Sequence, residues 1–306
     1  MVLLEGWFMV FMPHYLLGVG LRVYSPYVGW VEYPDGPSRI VSLCPSVTET
    51  LFMLCVGGRV VGVSSWCHRP REALERPKVG SYTEILRDRI RELRPELVFT
   101  TVGAQRRALE ELLSLGYPTY PFPLPKDVYA ILSMVVEVGG LVGEPEAALS
   151  LSERLARHLE GLRALKRGDR VPRVYIEIDL GGPTVPAYFN HINSALHLAG
   201  IANIFGDEPS EYLYGMRVGD YPVLDVAGEL ARRDPDVIVY ESKSFHPSPD
   251  EGLRVMKERG LEALRAVKTG SVLTLPADTL AHYGPSFLEE VVKVCDRVWE
   301  MFHTHT

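Results

Sequence analysis

Amide side chains are nearly missing from this chain: its 306 residues hold one Gln (Gln105) and three Asn (Asn190, Asn193, Asn203), and seven of its 32 basic residues are lysines. Scarce thermolabile amides beside 23 prolines point to a thermophile, although a GC-rich genome would also favour Arg and Pro. The formal charge is −7 with no block of Lys and Arg. Sequence-independent nucleic-acid binding needs concentrated positive charge, so nucleic acid is set aside as a partner. The four cysteines, Cys44, Cys55, Cys67 and Cys295, form no CxxC pair and no Cys/His zinc spacing. A Cys44–Cys67 disulfide stays open for an oxidising compartment, while Cys55 and Cys295 read as small buried hydrophobes on helical faces. No GxSxG elbow, P-loop, Rossmann glycine fingerprint or HExxH pair occurs, so the expectation is that the chain is not an enzyme.

Long apolar runs are scarce too. Residues 1–21, MVLLEGWFMVFMPHYLLGVGL, are apolar, but they lack a basic start, carry Glu5 and are interrupted by Pro13-His14. That is a poor export signal and a poor membrane span. Residues 1–20 are therefore expected to be an N-terminal extension or an atypical signal or anchor.

What is present is an ordinary globular composition, 46% hydrophobic and 23% charged, about twice the usual length of one domain. Leu21 to Tyr33 predicts two short strands joined near Ser25-Pro26. Arg39 to Leu43 predicts a buried strand, and Ser46 with Glu49 three residues on predicts a capping box for a helix from Val47 to Cys55. Gly57-Gly58 is expected to end that helix before a strand at Val60–Val63. The helix, turn and strand of Asp88 to Thr100 recur at Ala227 to Tyr240. There Arg94-Pro95-Glu96-Leu97-Val98 matches Asp234-Pro235-Asp236-Val237-Ile238 residue by residue. The strand-then-helix unit of Arg39 to Cys55 recurs at Arg173 to Ala199 in the same way. Such internal similarity implies two related α/β lobes.

Between the copies, Asp127 to Val138 has helical spacing and stops at Gly139-Gly140. Glu144-Pro145 then opens an amphipathic helix to about Leu165, with Leu149, Leu155, Leu159 and Leu162 on one side. The fold class is thus α/β: two lobes, each a mostly parallel sheet flanked by helices, bridged by one long helix, with a cleft between them. The expected divisions are 21–126, a helical linker at 127–167 and 168–306.

Loops beyond the carboxyl ends of parallel strands line the ligand crevice of such sheets. There the sequence places Trp66 and His68 after Val60–Val63, Tyr82 before the first repeated helix and Tyr221 before the second. Asp278 and His282 follow the strand Ser271 to Leu275. The aromatic faces suit a large, partly apolar ligand. His68 is the best-placed single axial ligand to a metal, and His68, Asp278 and His282 could converge only across the lobes.

The stretch RIVSLCPSVTETLFMLCVGGRVVGVSSWCHRPREALERPKVGSY, with RIRELRPELVF after it, resembles the helical-backbone substrate-binding proteins of ABC importers, over about residues 36–302. SLxPSxTE, GVSSxxxxP and the turn before RPELV are specific in combination, and the closest likeness is to the cobalamin-binding branch. The resemblance implies a ligand held between the lobes with little closure, then docking on a membrane permease. It places Trp66 and Tyr82 against a corrin, likens Tyr221-Pro222 to a Trp-Pro of the second lobe, and matches Asp278 to a polar cleft residue. His282 stands near the place of an Arg. Permease docking would use Asp88, and in the second lobe Glu229, one position past the matching Gly228. No intrinsic cofactor is implied; the ligand is a corrinoid or, alternatively, a ferric chelate. Arg69, Arg71 and Arg217 would meet a siderophore, and Tyr82 could ligate haem. A monomer is expected, outside the cytoplasm or at a membrane. A cytosolic corrinoid-handling protein is the alternative, because the start is not an orthodox signal.

Overall fold

A computed structural model describes residues 20–81, 83–103, 105–180, 183–186, 190–207 and 226–304. A hairpin comes first, β1 (Leu21–Ser25) antiparallel to β2 (Gly29–Tyr33). The first lobe then runs β3 (Ile40–Ser42), α1 (Pro45–Met53), β4 (Val60–Val63), α2 (Arg87–Leu93), β5 (Leu97–Thr101), α3 (Arg106–Ser114) and β6 (Thr119–Phe122). Two helices follow, α4 (Val128–Leu141) and α5 (Pro145–Ala164). The second lobe begins with β7 (Arg173–Asp179), β8 (Pro183–Thr184), α6 (His191–Leu198) and β9 (Ala202–Asn203). It continues with α7 (Val226–Arg233), β10 (Val237–Glu241), α8 (Glu251–Glu258), α9 (Arg265–Thr269), β11 (Val272–Leu275) and α10 (Phe287–Thr304).

The strands β4-β3-β5-β6 form one parallel sheet. In the second lobe β11-β10-β7 are parallel, with β9 parallel and β8 antiparallel to β7. Apolar runs such as LVFTT and VIVYE suit strands covered on both faces. Val41, Leu43 and Val98 pack outward with Ile90 of α2 and Leu112 of α3. Ile238 and Tyr240 do the same with Leu230 of α7 and Met256 of α8. The inner faces share one core, which runs from Ile40 and Phe99 through Ile131 of α4 and Leu155 of α5 to Val174 and Val237.

The repeated turn is repeated in detail. Arg94 (φ 44°) and Asp234 (φ 37°) both take the left-handed conformation that ends a helix. Glu96 accepts from the amides of Ser38 and Arg39, and Asp236 from the amide of Arg173 at 2.8 Å, so each acid caps the start of its lobe's first strand. Arg39 and Arg173 donate back to the carbonyls of Leu93 and Arg233, at the ends of α2 and α7.

Four local expectations are corrected. The helix α1 starts at Pro45 with Cys44 at its cap and no side-chain cap bond. Proline suits the first helical position, and that start puts Glu49 two positions past the place that would close a capping box. The chain leaves α1 through Cys55 itself, at φ 61°, and this thiol is exposed rather than buried; Gly57-Gly58 begins a short 3-10 turn. Gly139-Gly140 does not stop α4 but lies inside it, where a Cβ on Gly139 would overlap Ala148 of α5. The buried stripe of α5 is Ala148, Leu151, Leu155, Leu159 and Leu162, while Leu149 is exposed.

Candidate functional site

Parallel strands leave all their carboxyl ends on one side, and the two lobes turn those sides toward each other. The loop after β4 in the first lobe meets the loops after β10 and β11 in the second, through contacts made by His68 and Arg69. His68 Nδ1 lies 3.0 Å from the Trp66 carbonyl oxygen, so that nitrogen carries the proton and donates. Its Nε2 lies 3.1 Å from Asp278 Oδ2, and its ring meets Phe245 edge-on at 5.0 Å. Burial holds the His68 imidazole below its ordinary pKa, with the Asp278 carboxylate and the Trp66 carbonyl pulling the other way. Arg69 donates to Ser286 Oγ (2.9 Å), Glu290 Oε1 (3.0 Å) and the Asp278 carbonyl (2.7 Å).

Asp278 is held in the left-handed region (φ 65°). Its amide donates to Glu241 Oε1 at 2.9 Å, and the amides of Leu280 and Ala281 donate to the same carboxylate. Glu241 is thus the post around which this loop is wound. Its burial, with some help from the Asp278 charge, pushes its pKa up to about 8 against the pull of those amides.

His282 lies beneath this surface. It is 3% exposed, and its Nε2 pairs with Glu49 Oε2 at 2.8 Å while Nδ1 stands 3.9 Å from Asp278 Oδ2. Glu49 also accepts from the Ser286 amide at 3.2 Å. Burial pushes the Glu49 carboxyl up, but the His282 hydrogen bond and charge and the Ser286 amide outweigh it, leaving its pKa below the ordinary value. A Cβ at Gly284 would overlap both partners, so glycine lets the backbone pass over the pair. The carboxylate whose spacing predicts a helix cap is a tie between lobes.

The residues expected at the cleft are thus brought together unevenly. Trp66 stands on the loop after β4 with its side chain open to solvent, 58% exposed. His68 and Asp278 meet across the lobes, and His282 joins them from below. Tyr82 and Tyr221, with Pro222 and Arg217, lie outside the described residues. Asp88 lies in the first turn of α2, its side chain 86% exposed and 3.0 Å from Arg91. Glu229, in the first turn of α7, has its carboxylate occupied by Arg232 and Arg233, which hold its pKa down to about 2.

Cys44 and Cys67 are buried free thiols rather than a disulfide. Cys67 Sγ accepts from Thr48 Oγ1 and Cys44 Sγ touches Ser46 Oγ, each at 3.0 Å. His191 is buried with its Nε2 3.0 Å from the Leu280 carbonyl, and burial lowers its pKa to about 3. Among the described residues no group of three or more His, Cys, Asp or Glu is arranged to hold a metal ion. Sequence reasoning missed Glu49 as a tie, Glu241 and Phe245. An acid closing the otherwise apolar strand VIVYE was the available signal for Glu241; nothing local marked Phe245.

Two parallel-sheet lobes thus meet with the carboxyl ends of their strands face to face, and His68 and Arg69 join them there. The family model for the periplasmic binding protein matches residues 40–279. The chain belongs to that family, and it is a binding protein, not an enzyme. It is similar to the vitamin B12-binding protein of Vibrio parahaemolyticus, 24% identical over 259 residues that cover 84% of this chain and 88% of that one. The fold matches the apo periplasmic haem-binding protein RhuT of Roseiflexus sp. RS-1, with a TM-score of 0.72 and 22% identity over 87% of this chain and 100% of that one. It also matches the periplasmic vitamin B12-binding protein BtuF of Vibrio cholerae, with a TM-score of 0.70 and 24% identity over 88% and 99%. Among the described residues no helix is long and apolar enough to cross a membrane.

Proposed function

We propose that this chain captures a corrinoid, or a closely similar flat metal chelate, between its lobes and delivers it to an ABC permease from the extracytoplasmic side. In this reading residues 21–126 and 168–306 are the lobes and 127–167 the helical bridge. The ligand stacks on Trp66, with Tyr82 and Tyr221 as further flat faces and Asp278 as a polar contact, while His282 acts from beneath by positioning Asp278. The observation that carries the reading is the exposed Trp66 indole, presented by the loop after β4 where the two lobes meet. The similarity to a vitamin B12-binding protein over most of both chains supports the same ligand class.

A siderophore is the weaker reading for a specific reason. Arg69, on the loop where the lobes meet, spends its guanidinium on Ser286, Glu290 and the Asp278 carbonyl, leaving little of it for an anionic ferric complex. His68 is a poor axial ligand because Nδ1 is taken up by the Trp66 carbonyl and Nε2, which makes no hydrogen bond, is shut off from solvent 3.1 Å from Asp278 Oδ2. Docking falls to Asp88 and Glu229, and the protein acts as a monomer.

The test is a thermal-unfolding titration with aquocobalamin, run beside haemin and a ferric siderophore. A ligand at 100 times its Kd that binds only the folded chain adds about 2.7 kcal/mol. A saturable shift with aquocobalamin alone supports the reading; a shift with the siderophore alone overturns it.

A further inference from the structure

Phe245 is a large apolar side chain left 54% exposed at the meeting of the two lobes. It stands on the loop leaving β10, which lies between β11 and β7 in the second-lobe sheet. Hydrogen bonds hold this loop on both sides of the ring. The Ser244 amide donates to Ser242 Oγ (3.0 Å), the His246 amide to Ser244 Oγ (3.1 Å), and the Ala277 amide to the Ser244 carbonyl (2.8 Å). Ser242 Oγ in turn donates to Glu251 in the first turn of α8. The backbone that carries Phe245 is therefore held in place.

The Phe245 ring meets His68 of the other lobe edge-on, with ring centroids 5.0 Å apart and an interplanar angle of 69°. His68 in turn donates to the Trp66 carbonyl. One imidazole thus touches the Trp66 backbone in its own lobe and the Phe245 ring in the other. Leaving two large apolar rings in water at one seam is unfavourable by the area they expose, and a rigid conjugated ligand would cover both without losing internal freedom. A flexible, charged chelate would gain much less from the same surfaces.

The geometry points to Phe245 as an aromatic wall of the second lobe, a ligand-contacting residue facing the first-lobe loop that carries Trp66 and His68. His68 is then a positioning residue that seats the Phe245 ring against the first lobe. This inference rests on the ligand-binding reading above and deepens it.

The experiment measures aquocobalamin and haemin affinity by absorbance titration on the full chain and on Phe245→Ala, Phe245→Trp, Trp66→Ala, His68→Ala and the double variant His68→Ala/Phe245→Ala. Phe245→Ala is expected to weaken binding of the macrocycle by about 10-fold, the size typical of losing an aromatic anchor. Phe245→Trp should stay within about threefold of the parent, because it keeps a flat face. Unfolding without ligand should be unchanged in Phe245→Ala, since the ring is largely exposed. The loss should persist in the His68→Ala background; a loss that vanishes there would make Phe245 act only through His68 and overturn the contact. Parent-like affinity in Phe245→Ala alongside a large loss in Trp66→Ala would overturn Phe245 and leave the proposed function standing. Failure of the parent chain to bind either macrocycle would overturn both.

Discussion

Glu49 on the first helix and His282 just before the last meet at 2.8 Å, in a place where their side chains keep 7% and 2% of their exposure. They come from different lobes, so this hydrogen-bonded pair fastens one lobe to the other beneath the loop that carries Asp278. Taking either partner away leaves the other buried and incompletely satisfied. That is the costly way to break such a pair.

His282→Ala is accordingly expected to lower stability by about 3–5 kcal/mol, read from the midpoint of urea unfolding. A loss under about 1 kcal/mol would mean that water reaches the Glu49 carboxylate and replaces the imidazole.

The same pair makes a prediction about pH. The folded-state pKa of Glu49 is depressed, so its contribution is complete above the ordinary glutamate value of about 4.3. It is lost as pH falls from there through the depressed value. The parent chain should therefore lose stability over that acid range more steeply than Glu49→Gln does, when unfolding free energies are compared at a series of pH values. Parallel curves would remove Glu49 as a source of the acid response.

Trp66→Ala should weaken corrinoid binding by roughly 1–3 kcal/mol and leave the unfolding midpoint of the ligand-free chain where it was. Isothermal titration beside thermal unfolding separates the two effects. A drop in stability matching the drop in affinity would show that the indole supports its loop instead of a ligand.

Gly139→Ala sets two effects against each other. Alanine is favoured over glycine inside a helix by about 1 kcal/mol, but a Cβ here would overlap Ala148 where α4 lies against α5. Overpacking of that kind typically costs 1–3 kcal/mol, so a net loss of up to about 2 kcal/mol is expected in urea unfolding. A gain would show that the two helices can part without penalty.

What could be read from the sequence was what neighbours in the chain decide. The turn Arg94-Pro95-Glu96 and its copy Asp234-Pro235-Asp236 were visible because a proline after a helix and an apolar run after the proline are local signals. Val60–Val63 came out with both ends correct for the same reason. The errors lie where a distant contact took over a local rule. Glu49 satisfied the spacing of a capping box, yet Pro45 moved the helix start and His282, more than two hundred positions away, took the carboxylate. Gly139 had the look of a stop and is instead a point of close approach between helices. Leu149 does not fit the stripe even by spacing, since it stands six residues before Leu155, about 240° round the helix, whereas Leu151 stands four before it and takes that place. At the cleft, Trp66, His68 and Asp278 could be named individually. That His68 is bonded to the Trp66 carbonyl and set against Asp278 and Phe245 of the other lobe could not, since no pattern in one lobe encodes the face of the other.

The interior that continues from Ile40 through α4 and α5 to Val237 bears on the timing of recognition. Swinging the lobes apart would strip apolar area from that shared interior, at about 25 cal/mol per Å². An opening of on the order of 300 Å² would then lie some 7 kcal/mol uphill and be rarely visited. A molecule arriving at the seam meets a receptor that is already assembled, and its capture need not wait for a scarce conformer. Arrival is then governed by diffusion and steering, and the preference for one cargo over another is expressed in how long each one stays.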